Sequence, residues 1–436
     1  MSANLSQTQL TKVLATAFQA LPEHRRGRNC VSGLADGAWA AFLVFFNQVR
    51  SFLERRGAAR RLHGRANAAR LFGAGPTPSA PQIGNLLDPL LPSGCYQPFH
   101  TILHRLKAGG YLRAYQAFAD NLLVGLDGVH YFSSHTLHCP QCTVTQHDDQ
   151  VTYSHAALLP VLVAPGQPQV ISLEPEFITP QDGATKQDCE QNASKRWIER
   201  NATRFAPYLV TILADDLHCK QPTCALLLKH GLNFIMTCKP DSHTTLYEEV
   251  ALLEKIGAVT HLTFRHWNGR FYEQWQCRYV NQVPLRAGPD ALYINFCEVT
   301  ITQPTTTQAQ IYHNGFGTNH RITDDTLKPI IQAGRARWKD ENENHNTLKN
   351  HGYHLEHNSG HGHQHLASVL IVLNVLAFLC HTVMDLTSEK YRQLRQELGA
   401  RMTFFDDIRT LMRYLPFVSW DALLDFMLMG LGLSPG

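Results

Sequence analysis

Three acids stand out for their surroundings. Asp127 lies inside the apolar run 122–133 (LLVGLDGVHYFS), and Asp215 closes the apolar run 208–214 (YLVTILA). A carboxylate inside an apolar strand is costly unless it is paired or holds a cation. If the two strands are neighbours, the carboxylates lie side by side at one edge of a sheet and repel unless a cation sits between them. The third acid comes from residues 333–349 (AGRARWKDENENHNTLK), which read as a helix. There Arg337 and Glu341 are four apart and share a face. Lys349 returns near that face at about 100° per residue. Glu343 points away, so the geometry favours Glu341 over Glu343 and Asp340. Three carboxylates suit Mg2+ or Mn2+. Two such ions about 3.5–4 Å apart activate a nucleophile and stabilise a leaving oxygen in phosphoryl transfer. The plainer alternative is an Asp-Gly turn at Asp127 and a helix cap at Asp215-Asp216.

A second constellation follows Asp127. His138-Cys139-Pro-Gln-Cys142 contains a Cys-x-x-Cys knuckle, half of a zinc site. The other ligands would come from His138, His147, His155 or Cys189; the alternative is a turn with two free thiols. Eleven cysteines, an odd number, and an N-terminus (MSANLSQTQL) without a charged-then-apolar pattern point to a reducing, intracellular setting rather than a disulfide framework. Cys219, Cys224, Cys238, Cys277 and Cys297 read as isolated core or strand cysteines. The run His345, His351, His354, His357, His361, His363, His365 fits no ligand set and reads as a solvated or phosphate-facing surface.

The charge is uneven. Residues 1–120 hold 14 Lys+Arg against 5 Asp+Glu, and 12 of the 14 are Arg, while the whole chain of 436 residues carries only +3. A basic start joined to an acidic remainder suggests a polyanion-binding region attached to a metal-binding one. Arg50, Arg55, Arg56, Arg60, Arg61, Arg65 and Arg70 form its densest series, a candidate phosphate-binding face. With 44% hydrophobic and 17% charged residues, a disordered polyelectrolyte is excluded.

The elements that must position these residues follow. Residues 1–120 read as helical. Past Leu122 the order is three strands, helix (about 186–205), strand (208–214), helix (about 222–230), strand (233–238), a pattern expected for a mixed sheet with helices packed on it. Residues 261–315 are strand-like and aromatic; Trp267, Tyr272 and Trp275 either pack a core or stack on a base flipped from a duplex. Residues 366–380 are apolar, too short to span a bilayer, and read as a buried helix.

The blocks LLVGLDGVHYF, VTILADD and AGRARWKDENENHNTLKNHGY resemble the three signature blocks of DDE-type insertion-sequence transposases. They are most similar to the branch whose third block carries a Y-R-E-K pattern. The downstream HLEHNSGHGHQHLASVL and the basic LPEHRRGRN near the start are similar to segments of that branch too, so the resemblance covers most of the chain. It implies an α/β fold, with a ribonuclease H-like mixed sheet and flanking helices (121–260 and 316–390). Around it would lie an all-α basic DNA-binding and dimerisation region (1–120), a β-rich insertion (261–315) and a C-terminal helical region (391–436). It implies Asp127, Asp215 and Glu341 as ligands of two Mg2+ ions, with Arg337 and Lys349 matching the arginine and lysine. Asp216 is the alternative second aspartate. Gly334 occupies the tyrosine position, Asp340 stands where an apolar residue is more common, and the Glu-to-Lys spacing is one residue longer than usual. The implied activity is cutting of element ends and their joining to target DNA. Its partners would be double-stranded DNA and a second copy of the chain, with no membrane, in the cytoplasm on the bacterial nucleoid. Two other readings remain: a catalytically inactive DNA-binding descendant of such an enzyme, and a zinc-stabilised nuclease unrelated to transposition.

Overall fold

The computed structural model describes all residues except 1–4, 24, 26–30, 53, 55–56, 58–61, 149, 181–185, 304–308 and 435–436. The architecture is mixed α/β, with a nine-stranded sheet at its centre.

Two interior neighbours of that sheet are β1 (Leu122–Gly125) and β8 (Val210–Ala214). Every residue of both is buried, as a parallel pair covered on both faces requires. β5 (Val161–Val163) and β6 (Ile171–Ser172) add antiparallel on one side of β1. β9 (Asn233–Cys238) adds parallel on the far side of β8. The helices α6 (Lys186–Phe205) and α7 (Gln221–Lys229) make the connections into β8 and β9. This is the anticipated order of three strands, helix, strand, helix, strand.

The aromatic segment continues the same sheet. β13 (Gln310–Thr318) pairs antiparallel with β9, and β12 (Tyr293–Thr302), β11 (Tyr272–Pro284) and β10 (Thr260–Trp267) follow outward to the edge. α8 (Thr244–Lys255) packs on β11.

The run 122–133 is two strands rather than one. β2 (Gly128–Ser134) leaves for a small second sheet with β3 (Thr143–His147), β4 (Gln150–Leu158) and β7 (Glu176–Ile178). Its partner breaks at the same level, because Pro160 between β4 and β5 has no N–H to give to a ladder. The Leu159 N–H donates to the Asp127 carbonyl at 3.2 Å across the break. Asp127 therefore sits at the corner where a long hairpin passes from one sheet to the other.

The apolar run near residue 366 forms α11 (Leu366–Thr387), and the whole helix, unlike its 366–380 stretch alone, is long and apolar enough to cross a membrane. Its most apolar stretch is wholly buried, against α2 (Leu34–Phe46) and β6. Both helices are apolar nearly all round, the composition of a core helix. α1 (Gln7–Gln19), α3 (Leu62–Phe72), α4 (Ala80–Leu87) and α5 (Gln97–Ala108) complete the first region.

Candidate active site and metal centre

The β1–β8 register pairs Gly125 with Leu213. Two residues further, Asp127 and Asp215 stand level at the ends of adjacent parallel strands. Gly125 and Gly128 flank Asp127 for a reason of space. A Cβ on Gly125 would come within 3.0 Å of Asp340 Oδ2, and one on Gly128 within 2.8 Å of the Glu190 carboxyl group. The G-L-D-G sequence thus lets two further acids approach.

The third block is not one helix. α9 (Asp324–Arg335) begins at Thr323, whose hydroxyl accepts from the Thr326 N–H. Beyond it the chain tightens, with i→i+3 bonds such as Asp340 N–H to Arg337 O at 2.9 Å. It then widens into a π turn, Asp340–His345, before α10 (Asn346–Asn350). A π turn takes up one residue more than an α turn. The extra residue between Glu341 and Lys349 is absorbed there.

Arg337 ties the cluster together. Its Nη2 donates to Glu341 Oε1 at 2.9 Å and its Nη1 lies 3.8 Å from Asp127 Oδ2. Burial pushes the Asp127 carboxyl up to about 6 against the pull of Arg337, and the charges of Glu190, Glu341 and Asp215 add to the rise. Asp215 also starts a turn, accepting the Leu217 N–H at 3.0 Å, so the capping use and the site are compatible. Lys349 lies on the same side but bonds Glu356 at 2.7 Å rather than the acids.

Asp216 points elsewhere. It accepts from the Lys239 N–H at 2.7 Å, from the Ser242 hydroxyl and from His243. Despite opposing burial, these bonds hold it at about 2. That engagement separates it from Asp215.

Three residues of the cluster were missed. Asp340 is completely buried under Gly125, and burial, with Asp127's charge, raises it well above the carboxylate range. A neutral acid fits a place where an apolar side chain would also fit. Its Oδ1 accepts from Asn344 at 2.9 Å. His345, expected on a solvated surface, is instead buried between Asp127 (Nδ1 to Oδ2, 3.7 Å) and Asp340 (Nε2 to Oδ1, 3.4 Å). Burial holds it down at about 4, so it is neutral. Glu190 arrives from α6 and meets His218 at 3.3 Å. Only the two glycines around Asp127 hinted at these approaches.

Gly334 is fixed by packing. A Cβ there would meet the Phe316 ring at 2.7 Å and Ile235 Cγ2 at 3.0 Å, so no tyrosine fits.

The Cys-x-x-Cys knuckle does gather four ligand-type side chains: Cys139, Cys142, His155 and His361. Cys139 and Cys142 lie on the loop before β3, His155 on β4, and His361 in the segment before α11. The Sγ–Sγ distance is 3.9 Å, the Sγ–Nε2 distances are 3.4 and 3.5 Å, and His155 and His361 Nε2 lie 3.2 Å apart. A tetrahedron with zinc's usual bond lengths has edges of about 3.8 Å (S–S), 3.5 Å (S–N) and 3.3 Å (N–N). Five of the six separations therefore match a zinc-sized tetrahedron, and the sixth, Cys139 to His361, lies within 4.8 Å. His361 Nδ1 lies 3.0 Å from the Gly362 carbonyl, the kind of contact that fixes a ligating tautomer.

One of the expected ligands differs. His138 stacks on Tyr153, with ring centres 4.6 Å apart, and His361 takes the place expected for it. The side chains of Cys189 and His147 lie outside the described residues. Cys219 and Cys238, expected to be isolated, meet at 3.1 Å beside His243. Both ring nitrogens of His243 face oxygens, Cys219 O at 2.6 Å and Asp216 at 3.1 Å, so it offers no free lone pair.

Of the arginine series, Arg50, Arg65 and Arg70 are exposed, while Arg55, Arg56, Arg60 and Arg61 lie outside the described residues. Trp275 is a core residue with its N–H on Glu273, whereas Trp267 and Tyr272 are half exposed at the sheet edge. Trp338, next to Arg337, is also half exposed. Neither the models of known families nor the curated proteins compared with this chain match it.

Proposed function

We propose that the chain is a DDE-type transposase whose ribonuclease H-like domain cuts DNA at the ends of its element and joins the freed 3′-hydroxyl to target DNA. The observation that carries this reading is the pairing of Asp127 and Asp215 at the ends of adjacent parallel strands, with Glu341 linked to Asp127 through Arg337. The mixed sheet, with its antiparallel β1–β5–β6 unit extended by parallel β8 and β9, supports the fold.

The donor set suits Mg2+. Four acids, Asp127, Asp215, Glu190 and Glu341, face one arginine and a neutral histidine. Burial raises Asp127 first and the charges of Glu190, Glu341 and Asp215 add to the rise; a divalent cation would relieve that added repulsion. Asp127, Asp215 and Glu341 would hold two such ions, which supply activation of the attacking water and neutralisation of charge at phosphorus. Arg337, which now pairs with Glu341, would give up that carboxylate if Glu341 served as a metal ligand. Its guanidinium is then free to face the scissile phosphate. Lys349, on the rim, holds a neighbouring backbone phosphate, and the exposed arginines near the N-terminus hold the duplex. A zinc ion at Cys139, Cys142, His155 and His361 would pin the small sheet to the segment before α11, and its role would be structural.

The test is incubation of the purified protein with a labelled DNA end of its own element and Mg2+. Cleavage that is lost in Asp127→Ala and in Glu341→Ala is the expected result. Absence of cleavage, or cleavage undiminished in both variants, overturns the reading. Cleavage of any duplex without preference for the element end would favour the unrelated nuclease.

A further inference from the structure

A polar cavity of about 270 Å3 lies on another side of the turn that carries Glu341, and the chemistry proposed above does not use it. Tyr391 and Arg395 reach it from α12 (Glu389–Glu397), and Arg401 from the start of α13 (Arg401–Tyr414). Asp385 lines it from α11, Glu343 from the π turn and Thr347 from α10.

The two arginines have no ion-pair partner. Arg401 gives Nη1 to the Tyr353 hydroxyl at 3.1 Å, and no carboxylate among the described residues comes within 4.0 Å of either guanidinium. Arg392, by contrast, is satisfied by Glu389. Asp385, whose charge acts on both arginines, already accepts from Gln169 at 2.7 Å. Aromatic rings lie beside both guanidiniums, with the Phe404 ring centre 5.6 Å from Arg395 Cζ and the Tyr353 ring centre 5.7 Å from Arg401 Cζ. That leaves the in-plane N–H groups to the cavity.

Two donors at the cavity are buried without a partner, Arg395 Nη1 and the hydroxyl of Tyr391, a residue only 1% exposed. A buried donor left unpaired costs stability, and structures rarely tolerate two in one place. Water would satisfy the hydrogen bonds but not the charge. Arg395 is held below its usual value by burial and then by the charge of Arg401, which the charge of Asp385 offsets only in part, while Tyr353, Tyr391 and Asp385 hold Arg401 up against burial. A tetrahedral oxyanion answers both demands, because a guanidinium offers parallel donors matched to phosphate oxygens.

We propose that this cavity is a phosphate-binding site, with Arg395 and Arg401 holding the oxygens and Tyr391 donating a further hydrogen bond. The phosphate belongs to a small free anion or to a DNA backbone, since both present the same oxygens. Because Thr347 and Glu343 form one wall, an occupied site braces the turn that carries Glu341.

The test is equilibrium dialysis of the full chain against radiolabelled inorganic phosphate at constant ionic strength, without Mg2+. It therefore stands or falls separately from DNA cleavage. Saturable binding of one phosphate per chain is expected. Tyr391→Phe should weaken it about tenfold, and Arg395→Gln by more. Tyr391→Phe removes a single oxygen and keeps the test decisive if Arg395→Gln fails to fold. Unlabelled duplex DNA and a small phosphomonoester, added as competitors, identify the source by which of them displaces the label. No saturable binding by the unaltered protein, or binding undiminished in both variants, overturns the proposal.

Discussion

Replacing His361 with alanine tests the metal centre through its longest connection. His361 and His155 are 206 residues apart in the chain, yet their ring nitrogens lie 3.2 Å apart. A metal at the four side chains closes that loop, and its stabilising effect comes largely from restricting the unfolded chain. By the loop-closure relation used for cross-links, a loop of this length gives at most about 5 kcal/mol. His361→Ala leaves Cys139, Cys142 and His155, which lie close together in the chain and close only a short loop. The variant should therefore lose up to about 5 kcal/mol of stability in urea unfolding. A chelator should bring the unaltered protein down to the level of the chelated variant. Metal analysis should find one zinc per unaltered chain and markedly less in Cys142→Ser, which removes a second ligand. The reasoning is refuted if the unaltered protein, purified with zinc present, contains none, or if chelation leaves its unfolding midpoint unchanged.

Three further outcomes follow from the acid cluster and its packing. Asp127 is held at about 6 in the folded chain against an ordinary value of 3.8, so its contribution is fully present below pH 4 and is lost as pH rises through 6. In metal-free protein that loss amounts to about 3 kcal/mol, so Asp127→Asn should match the unaltered protein at pH 4 and exceed it in stability at pH 8. Urea curves at the two pH values check this, and equal curves at pH 8 would refute it. Burial, with the charge of Asp127, raises Asp340 well above the carboxylate range and favours its protonated form, so Asp340→Asn should change stability at pH 7 by less than about 1 kcal/mol. A large loss in urea unfolding at pH 7 would mean that Asp340 is ionised in the fold. Gly334→Ala places a methyl group against Phe316 and Ile235, which overpacks the core by about 1–3 kcal/mol against a helix-propensity gain of about 1. A net loss in thermal melting is expected, recovered in part by adding Phe316→Leu; a stabilised single variant would show that the ring yields freely.

The placement of Asp127, Asp215, Arg337 and Glu341 was legible in the sequence because burial and spacing act locally. An aspartate within LLVG-LD-G and another after VTILA are conspicuous in any apolar run, and the pairing of Arg337 with Glu341 follows from one helical turn. The zinc-type knuckle was half legible, since Cys139 and Cys142 lie close in the chain. His361 was not, because it enters from a segment whose other histidines face solvent. The same holds for His345: only a π turn brings it inward, and no spacing rule announces one. The aromatic strands 261–315 carry the alternation of a sheet, but nothing in that pattern says which edge they join.

The sequence by itself determined the kinds of element, the unequal charge and which acids were too costly to bury alone. These are properties of single segments, set by side-chain polarity and by the periods of helix and strand. Only the tertiary structure decided that Asp127 stands level with Asp215, that Asp340 and Glu190 fill the space left by two glycines, and that His361 completes a tetrahedron. Register and close approach are set by segments far apart in the chain that exclude water together, and that choice is made in packing, not in any one stretch of residues.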